Sequence, residues 1–191
     1  MSWYCEVALG NPIHETYHNT EYGFPLTGDN IANDERYLFE LLSLELFQAG
    51  LSWELILKKR DTTVKAFDNF DIDTVASYCK KDIMRLLADS GIIRNKLKVD
   101  SIIENARRIQ SLRDTHQSFA NWISIHHPLN RNEWTKLFRK NFKFMGSEIV
   151  NEFLMCIGYL PGSHNKNCFI YKQISKLSPP WLQVDASVFE L

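Results

Sequence analysis

The sequence is poor in the features that mark secreted, membrane-spanning or disordered chains. Its 191 residues include only four cysteines, eight glycines and six prolines. The cysteines are too few and too scattered for a secreted disulfide scaffold. The first residues, MSWYCEVALGNP, have neither a basic start nor an apolar core, and no apolar run approaches the length of a membrane span. We therefore expect a cytoplasmic protein without a membrane partner.

The chain also lacks an excess of charge of either sign. Its 22 Lys and Arg against 23 Asp and Glu give a formal net charge of −1, which argues against a large non-specific DNA footprint. A local cluster of basic residues can still bind phosphates in such a chain. The sequence is instead rich in apolar and aromatic residues, with 45% hydrophobic residues that include twelve Phe, seven Tyr and five Trp. This composition is typical of a chain that buries a sizeable core.

Periodicity predicts an all-α fold, because alternating strand patterns are nearly absent and glycine and proline fall between helical segments. Helices are predicted over residues 34–49, 52–60, 62–67, 73–78, 81–88, 97–112, 118–126, 133–140 and 147–158. We expect residues 1–191 to form a single unit. It would comprise a helical body over 34–158 and irregular ends over 1–33 and 159–191.

One carboxylate falls within an apolar stripe. At about 100° per residue, Leu38, Leu41, Leu42 and Ala49 share one helix face, and Glu45 lies near its centre. An ionised carboxylate there is costly unless a cation or a hydrogen-bond donor meets it. The pattern leaves two interpretations open. Glu45 is either a boundary residue paired with an arginine or a backbone amide, or a carboxylate at the floor of a pocket.

A tryptophan follows this carboxylate after a predicted break in the helix. Gly50 would end the first helix, and Ser52 would cap the next. Trp53, on the first turn of the second helix, is either a core residue or an indole that faces back toward Glu45. A carboxylate beside an indole favours a flat, cationic ligand that donates hydrogen bonds.

Residues 81–112 predict a helical hairpin with a turn at Ser90-Gly91. We expect Gly91 to take the left-handed conformation that reverses the chain tightly. Three backbone N–H groups should stay free near a helix start, where they attract anions: those of Gly91, Ile92 and Ile93. Three basic side chains accompany them: Arg94, Lys96 and Lys98. The pattern favours a helix-hairpin-helix that grips DNA phosphates without sequence preference, with an ordinary turn between helices as the alternative.

Two half-sites for a metal lie far apart in the sequence. Cys5 and His18 are near one end, and His164 and Cys168 form an H-x3-C pair near the other. Two thiolates and two imidazoles would complete a tetrahedral structural zinc site that ties the ends together. The spacing also permits two buried thiols and two surface histidines. The remaining cysteines, Cys79 and Cys156, are interpreted as core residues, and the remaining histidines, including His14, as surface residues.

These signals occur together in one family. The chain resembles the DNA-3-methyladenine glycosylase I (Tag) family over residues 5–170. The blocks that carry the resemblance are YHNTEYGFP at 17–25, QAGLSW at 48–53, LKKR at 57–60, GIIRNKLK at 91–98, IIENAR at 102–107, FKFMG at 142–146 and HNKNC at 164–168. The order of the QAGLSW and GIIR blocks, with four metal ligands at matching places, is highly specific.

The resemblance implies a helix-hairpin-helix DNA glycosylase fold in which a structural zinc binds Cys5, His18, His164 and Cys168. It also implies a pocket in which Glu45 hydrogen-bonds an alkylated adenine, Trp53 stacks on it, and Tyr17 lines the wall beside Tyr22. The implied activity is the hydrolytic release of 3-methyladenine from alkylated double-stranded DNA after base flipping, with Glu45 as the catalytic residue. We expect a monomer. As a hypothesis, the wedge that opens the base stack is the segment of Gln48, Ala49, Gly50 and Leu51.

The sequence departs from the family pattern in the pocket region. Val7 stands where the family has tryptophan, His14 where it has tyrosine, and Tyr22 where it has tryptophan. Elsewhere, Asn19 replaces an aspartate and Lys140-Asn141 replace Arg-Gly. We therefore expect a thinner aromatic lining, with a changed rate or lesion range.

Two other functional classes remain open. The first is a homologue that recognises lesions in DNA without excising them, and the second is a zinc-stabilised interaction domain whose hairpin is incidental. Many relatives in the wider superfamily use an aspartate after the hairpin. The nearest candidate, Asp114, follows what is predicted to be one continuous helix, so it is not assigned a role.

Overall fold

The computed structural model describes residues 4–26 and 31–190, without the side chains of residues 31–33. Regular structure in these ranges is entirely helical, which confirms the predicted all-α class. The α-helices there are α1 (Tyr4–Ala8), α2 (Pro12–Thr20), α3 (Ile31–Gln48), α4 (Trp53–Ala66), α5 (Ile72–Ala76), α6 (Lys80–Ala88), α7 (Lys96–His116), α8 (Phe119–His126), α9 (Arg131–Asn141), α10 (Ser147–Cys156) and α11 (Phe169–Lys176). Short 3₁₀ turns occur at Asp68–Phe70, Pro180–Leu182 and Ala186–Phe189.

Helix α3 is the central element of the fold. It packs against α4, α7, α8 and α10, and every side chain from Leu41 to Phe47 is buried. The predicted apolar stripe is thus part of a helix whose C-terminal half is covered on all sides. This packing takes Glu45 out of solvent together with its apolar neighbours.

Helices α6 and α7 form the predicted hairpin, and α7 packs against α5 and α8. The buried face of α7 consists of Val99, Ile102, Ile103, Ala106 and Ile109, at the spacing of an amphipathic helix. The helix runs unbroken to His116. The helix is continuous, as predicted, but it extends beyond the predicted end at residue 112, so Asp114 is an exposed residue in its last turn.

Two predicted helices are in fact one. Residues 52–60 and 62–67 were expected as separate helices, but α4 continues from Trp53 to Ala66. Neither glycine nor proline lies between the two segments, and the Thr62 hydroxyl oxygen lies 2.9 Å from the carbonyl oxygen of Lys59 in its own helix, so it does not cap a new one. Without a helix-breaking residue at this junction, the backbone hydrogen bonds of α4 continue through it.

The prediction of irregular ends was wrong, because α1, α2 and α11 occupy much of them. Asn11 caps α2 by accepting a hydrogen bond from the N–H of Ile13 (3.3 Å), and Pro12 begins the helix. These helices have five, nine and eight residues, too few to show a clear periodicity or to be stable alone. Residues 1–3, 27–30 and 191 of the predicted ends lie outside the described ranges.

Arg60 ties the N-terminal segment to the helical body. Its guanidinium donates to Glu21, just after α2, and to Glu40 on α3, each at 2.7 Å. The division of the chain into a body over 34–158 and two joined ends remains a prediction. None of the described helices combines the length and apolar character needed to cross a membrane.

Candidate functional site

A cleft of about 1290 Å³ opens beside the C-terminal end of α3. Its walls come from α1, α2, the turn between α3 and α4, the loop after α9, and α10. Four side chains predicted to bind a base line this cleft: Tyr17, Tyr22, Glu45 and Trp53. The fold therefore brings together residues from three separate helices and one loop.

The carboxylate of Glu45 lines the cleft, although the residue is only 6% exposed. No ion pair or hydrogen bond within the described part of the chain engages it. Burial, reinforced by the nearby Glu152, raises the pKa of Glu45 well above its usual value of 4.5. The alternative of a carboxylate paired with an arginine is thus excluded, and the pocket placement of Glu45 is confirmed.

The turn between α3 and α4 presents Trp53 to the cleft. Gly50 has a φ of +78° and ends α3, as predicted. Ser52 accepts a hydrogen bond from the N–H of Leu55 (3.3 Å) and caps α4, also as predicted. The Trp53 indole packs against the ring of Tyr17, with 5.2 Å between ring centroids. Leu51, at the tip of the turn, is 37% exposed.

Hydrogen bonds fix the two predicted tyrosines in the wall of the cleft. The Tyr17 hydroxyl lies 3.0 Å from Sγ of Cys156. The Tyr22 hydroxyl donates to Oε2 of Glu152 (2.9 Å). Both tyrosines are buried, as is Cys156, which occupies the core as predicted. Cys79, by contrast, is exposed at the start of α6, so its assignment to the core was wrong.

Tyr4 is a wall residue that the sequence did not reveal. Its ring lies 5.2 Å from that of Tyr22 and 6.2 Å from that of Tyr17, and its hydroxyl is 2.8 Å from Nδ1 of His14. His14 is therefore buried against Tyr4, and its assignment to the surface was wrong. A five-residue helix has too few positions for periodicity to show which side chain points inward.

The expected thinning of the aromatic lining is only partly correct. Val7 is half exposed at the cleft, so no large side chain fills that position. Tyr4, one helical turn earlier, supplies a ring beside Tyr17 and Tyr22. Helix α1 therefore contributes an aromatic ring to the cleft from Tyr4.

Glu152 is a second carboxylate of the cleft, and the sequence analysis missed it. It precedes Cys156 by one turn of α10, so the i, i+4 spacing from a buried cysteine was the available signal. Burial raises the pKa of Glu152, and the hydrogen bond from Tyr22 opposes that shift. The cleft therefore carries two acidic groups.

The hairpin turn is present, but two of its predicted details are wrong. Gly91 does not have a positive φ. The position favours glycine because a Cβ atom there would lie 2.9 Å from Oδ1 of Asp89 and 3.1 Å from Cβ of Thr62. The N–H of Gly91 is not free, since it donates to Oδ1 of Asp89 (2.7 Å), and the N–H of Ile92 points to the Asp89 carbonyl at 3.5 Å. The N–H of Ile93 has no partner among the described residues.

Helix α4 holds the carbonyl side of the same turn. Lys59 Nζ donates to the carbonyl of Ser90 (2.7 Å), and the Thr62 hydroxyl donates to that of Gly91 (2.6 Å). Arg94 and Lys96 are exposed where α7 begins. The turn is thus anchored from behind, with two basic side chains in solvent.

Lys98 does not lie with those two residues on the surface. It is only 5% exposed, and its ammonium donates to the carbonyls of Phe47 (2.8 Å) and Ala49 (2.6 Å). Those carbonyls belong to the end of α3, where a helix lacks internal donors. In this structure Lys98 is a helix cap, so the prediction that it contacts phosphates was wrong.

The predicted metal ligands converge from the two ends of the chain. Four potential ligand atoms, from Cys5, His18, His164 and Cys168, all lie within 4.8 Å of one another. Nδ1 of His164 is 3.1 Å from Nε2 of His18 and 3.6 Å from each of the two sulfur atoms. Ligands at the bond lengths of a tetrahedral zinc ion lie about 3.3–3.8 Å apart. The donor set and its spacing therefore fit such an ion.

The contacts around this cluster orient both imidazoles. Nδ1 of His18 lies 2.7 Å from Oδ1 of Asn19, and Nε2 of His164 lies 2.7 Å from the carbonyl of Tyr22. Burial lowers the pKa of His164 to about 4, so this ring is neutral, as a metal ligand must be. His18 and His164 are each 4% exposed, which excludes the alternative of surface histidines.

Comparisons with known proteins agree on one family. The family described as methyladenine glycosylase matches residues 7–135. DNA-3-methyladenine glycosylase 1 of Escherichia coli K12 is 32% identical over 87% of this chain and 96% of its own length. The DNA-3-methyladenine glycosylase of Haemophilus influenzae is 30% identical over 88% and 97%.

Solved structures of the same class share the fold. A crystal structure of a 3-methyladenine DNA glycosylase I variant in complex with 3-methyladenine has a TM-score of 0.76 and 27% identity, covering 87% of this chain and 96% of that chain. The glycosylase I of Staphylococcus aureus, described for its recognition of 3-methyladenine, also has a TM-score of 0.76 and 27% identity, over 87% and 95%.

Proposed function

This chain belongs to the methyladenine glycosylase family, and we infer that it is a base-excision repair enzyme that releases 3-methyladenine from alkylated DNA. Its substrate is double-stranded DNA that carries the cationic lesion, and its products are the free base and an abasic site. The named relatives and the complex with 3-methyladenine support this substrate.

The observation that carries the proposal is the carboxylate of Glu45 in an aromatic hollow. A buried carboxylate without a partner is costly, and a cationic base that donates hydrogen bonds would offset that cost. The faces of Trp53 and the neighbouring tyrosines favour the same positive charge. A neutral adenine offers the hollow much less, so Glu45 selects the alkylated base.

Release of an alkylated base requires little more from the protein than binding that base. Methylation at N3 places positive charge on the purine and weakens the bond between N9 and C1′. When water attacks C1′, that bond breaks, its electron pair neutralises the base, and the water proton is released. Glu45, as the catalytic residue, would hold the flipped cationic base in the cleft in the orientation that exposes C1′ to the attacking water. Asp114 is exposed on α7 and does not line the cleft, so it has no part in this step.

Contacts with DNA would come from the hairpin and from the turn beside Trp53. The backbone at Gly91, Ile92 and Ile93 lies against the phosphates, where the N–H of Ile93 is the available donor. Arg94 and Lys96 add positive charge. Across the cleft, the exposed Leu51 enters the space left by the flipped base, supported by Gln48 and Gly50.

We propose that the cluster of Cys5, His18, His164 and Cys168 binds a structural zinc ion. Such an ion would tie α1 and α2 to the segment before α11, and it would stabilise the wall that carries Tyr4, Tyr17 and Tyr22. We also propose that the protein is a cytoplasmic monomer. All four of its cysteines are unpaired, in keeping with a reducing compartment.

The direct test is release of base from methylated duplex DNA. The wild-type protein should liberate 3-methyladenine, detected by chromatography, and Glu45→Gln should release it roughly 10- to 100-fold more slowly. Glu190→Gln, which removes the same charge from an exposed site, is the control. Tight binding to methylated DNA without any release would instead establish the lesion-recognising homologue.

A further inference from the structure

The hydrogen-bonded pair of Tyr22 and Glu152 gives the cleft a second polar feature at its aromatic wall. Oε2 of Glu152 accepts the Tyr22 hydroxyl (2.9 Å), and both residues line the cleft that contains Glu45. Within the described part of the chain, no lysine or arginine lies within ion-pair distance of either carboxylate. Arg139, a basic residue of the lining, is exposed and donates to the carbonyl of Met145. Arg131 is paired with Glu148, and its positive charge only partly opposes the effect of burial, which raises the pKa of Glu152.

A purely structural role does not account for Glu152. A tyrosine hydroxyl is satisfied by any neutral acceptor, such as a backbone carbonyl or an amide. A carboxylate that is partly buried beside Glu45 adds repulsion and loss of hydration to the same hydrogen bond. A ligand that carries positive charge and has hydrogen-bond donors for both Glu45 and Glu152 would lower both the repulsion and the cost of lost hydration.

Alkylated purines differ in how many donors they bring. An adenine alkylated at N3 offers one donor group, its exocyclic amine. A guanine alkylated at N7 is also cationic, and its N1–H and 2-amino groups lie side by side and donate three hydrogens. We propose that Glu152, held by Tyr22, is a specificity-determining residue that extends the substrate range of this cleft to cationic N7-alkylated guanines.

This inference rests on the proposed glycosylase function and uses the same reaction. Alkylation at N7 makes guanine a good leaving group, as alkylation at N3 does for adenine. Water adds to C1′, the bond from N9 to C1′ breaks with its electron pair on the base, and one proton is released. Glu152 accepts from the base and does not take part in bond breaking.

The test uses duplex DNA treated with a methylating agent, which carries 7-methylguanine and 3-methyladenine in the same molecules. Both released bases are measured by chromatography over time. Wild type should release both, and Glu152→Gln should slow the release of 7-methylguanine about tenfold, because the hydrogen bonds lose their charge. Release of 3-methyladenine should change less than about threefold. Tyr22→Phe, which keeps the ring but frees Glu152, should slow the release of 7-methylguanine more than the release of 3-methyladenine.

Three other results of this experiment would each overturn the inference. If wild type releases 3-methyladenine alone, the inference is overturned and the proposed function stands. If Glu152→Gln slows both bases by one factor while its melting temperature is unchanged, Glu152 supports the cleft without reading the base, and the inference is again overturned. If neither base is released, both the proposed function and the inference that rests on it are overturned. Glu190→Gln should behave as wild type with both bases.

Discussion

The ammonium of Lys98 lies 2.6 Å from the carbonyl oxygen of Ala49, and this contact joins the hairpin to the base cleft. The second acceptor, the carbonyl of Phe47, is 2.8 Å away. A buried cation at the C-terminal end of α3 also meets the negative end of the helix dipole. Lys98 thereby holds in place the turn that carries Gly50, Leu51 and Trp53.

Lys98→Met should destabilise the protein by about 2–4 kcal/mol, because two buried carbonyls lose a charged donor. Urea unfolding measures this change. Lys96→Met is the matched control, since Lys96 is exposed and its one partner among the described residues is Asp100. It should leave stability unchanged and reduce the salt dependence of DNA binding by about one phosphate contact. A stable Lys98→Met protein that had lost only DNA binding would restore the phosphate role.

Glu45→Gln should alter stability in a pH-dependent direction. The pKa of Glu45 is raised by folding, so above the usual value of 4.5 the folded protein holds a proton that the unfolded chain has released. As pH rises above the pKa of Glu45 in the unfolded chain, the free energy of unfolding of the wild-type protein therefore falls. Glutamine does not titrate, so the variant has no such loss. The variant should gain stability relative to wild type between about pH 5 and about pH 8. If Glu45→Gln instead lowered the free energy of unfolding by the same amount at about pH 5 and at about pH 8, the buried, unpaired state of Glu45 would be contradicted.

Leu51→Ala should slow base release from duplex DNA by about tenfold, because the emptied stack is no longer filled. Single-stranded methylated DNA is the control substrate, since its bases need little unstacking, and release from it should change much less. Release from duplex DNA at the wild-type rate would remove the wedge role.

Tyr4→Ala should weaken the binding of free 3-methyladenine by about tenfold, because the cleft loses the ring that packs against both Tyr17 and Tyr22. Quenching of tryptophan fluorescence gives the affinity. Tyr4→Phe keeps the ring and loses the hydrogen bond to His14, so it should bind nearly as wild type does. Equal losses in the two variants would assign the effect to that hydrogen bond.

The metal proposal predicts about one zinc ion per chain by elemental analysis and a lower melting temperature after chelation. Cys168→Ser and His164→Ala should both lose the metal. Cys79→Ser is the matched control, because Cys79 is exposed and outside the cluster. The proposal would be overturned if the purified protein contained no metal and its melting temperature changed neither with a chelator nor in Cys168→Ser.

The sequence predicted a feature correctly where all the residues that determine the feature lie in one short segment. The break at Gly50, the cap at Ser52 and the inward position of Glu45 each follow from backbone sterics, capping and helical periodicity within a few residues. Periodicity also predicted the long helix α7. The short helices α1, α2 and α11 escaped prediction because contacts with the rest of the chain, and not their own pattern, stabilise them.

By itself, the sequence determined the helical class, the carboxylate in an apolar stripe, and the set of cysteines and histidines that suit a metal. Only the tertiary structure decided which side chains meet. It placed Tyr4 and Glu152 in the cleft, and it turned Lys98 from an expected DNA contact into a helix cap. The physical reason is that pocket walls and buried hydrogen bonds form between segments far apart in the chain, whereas periodicity and capping act within a single helix.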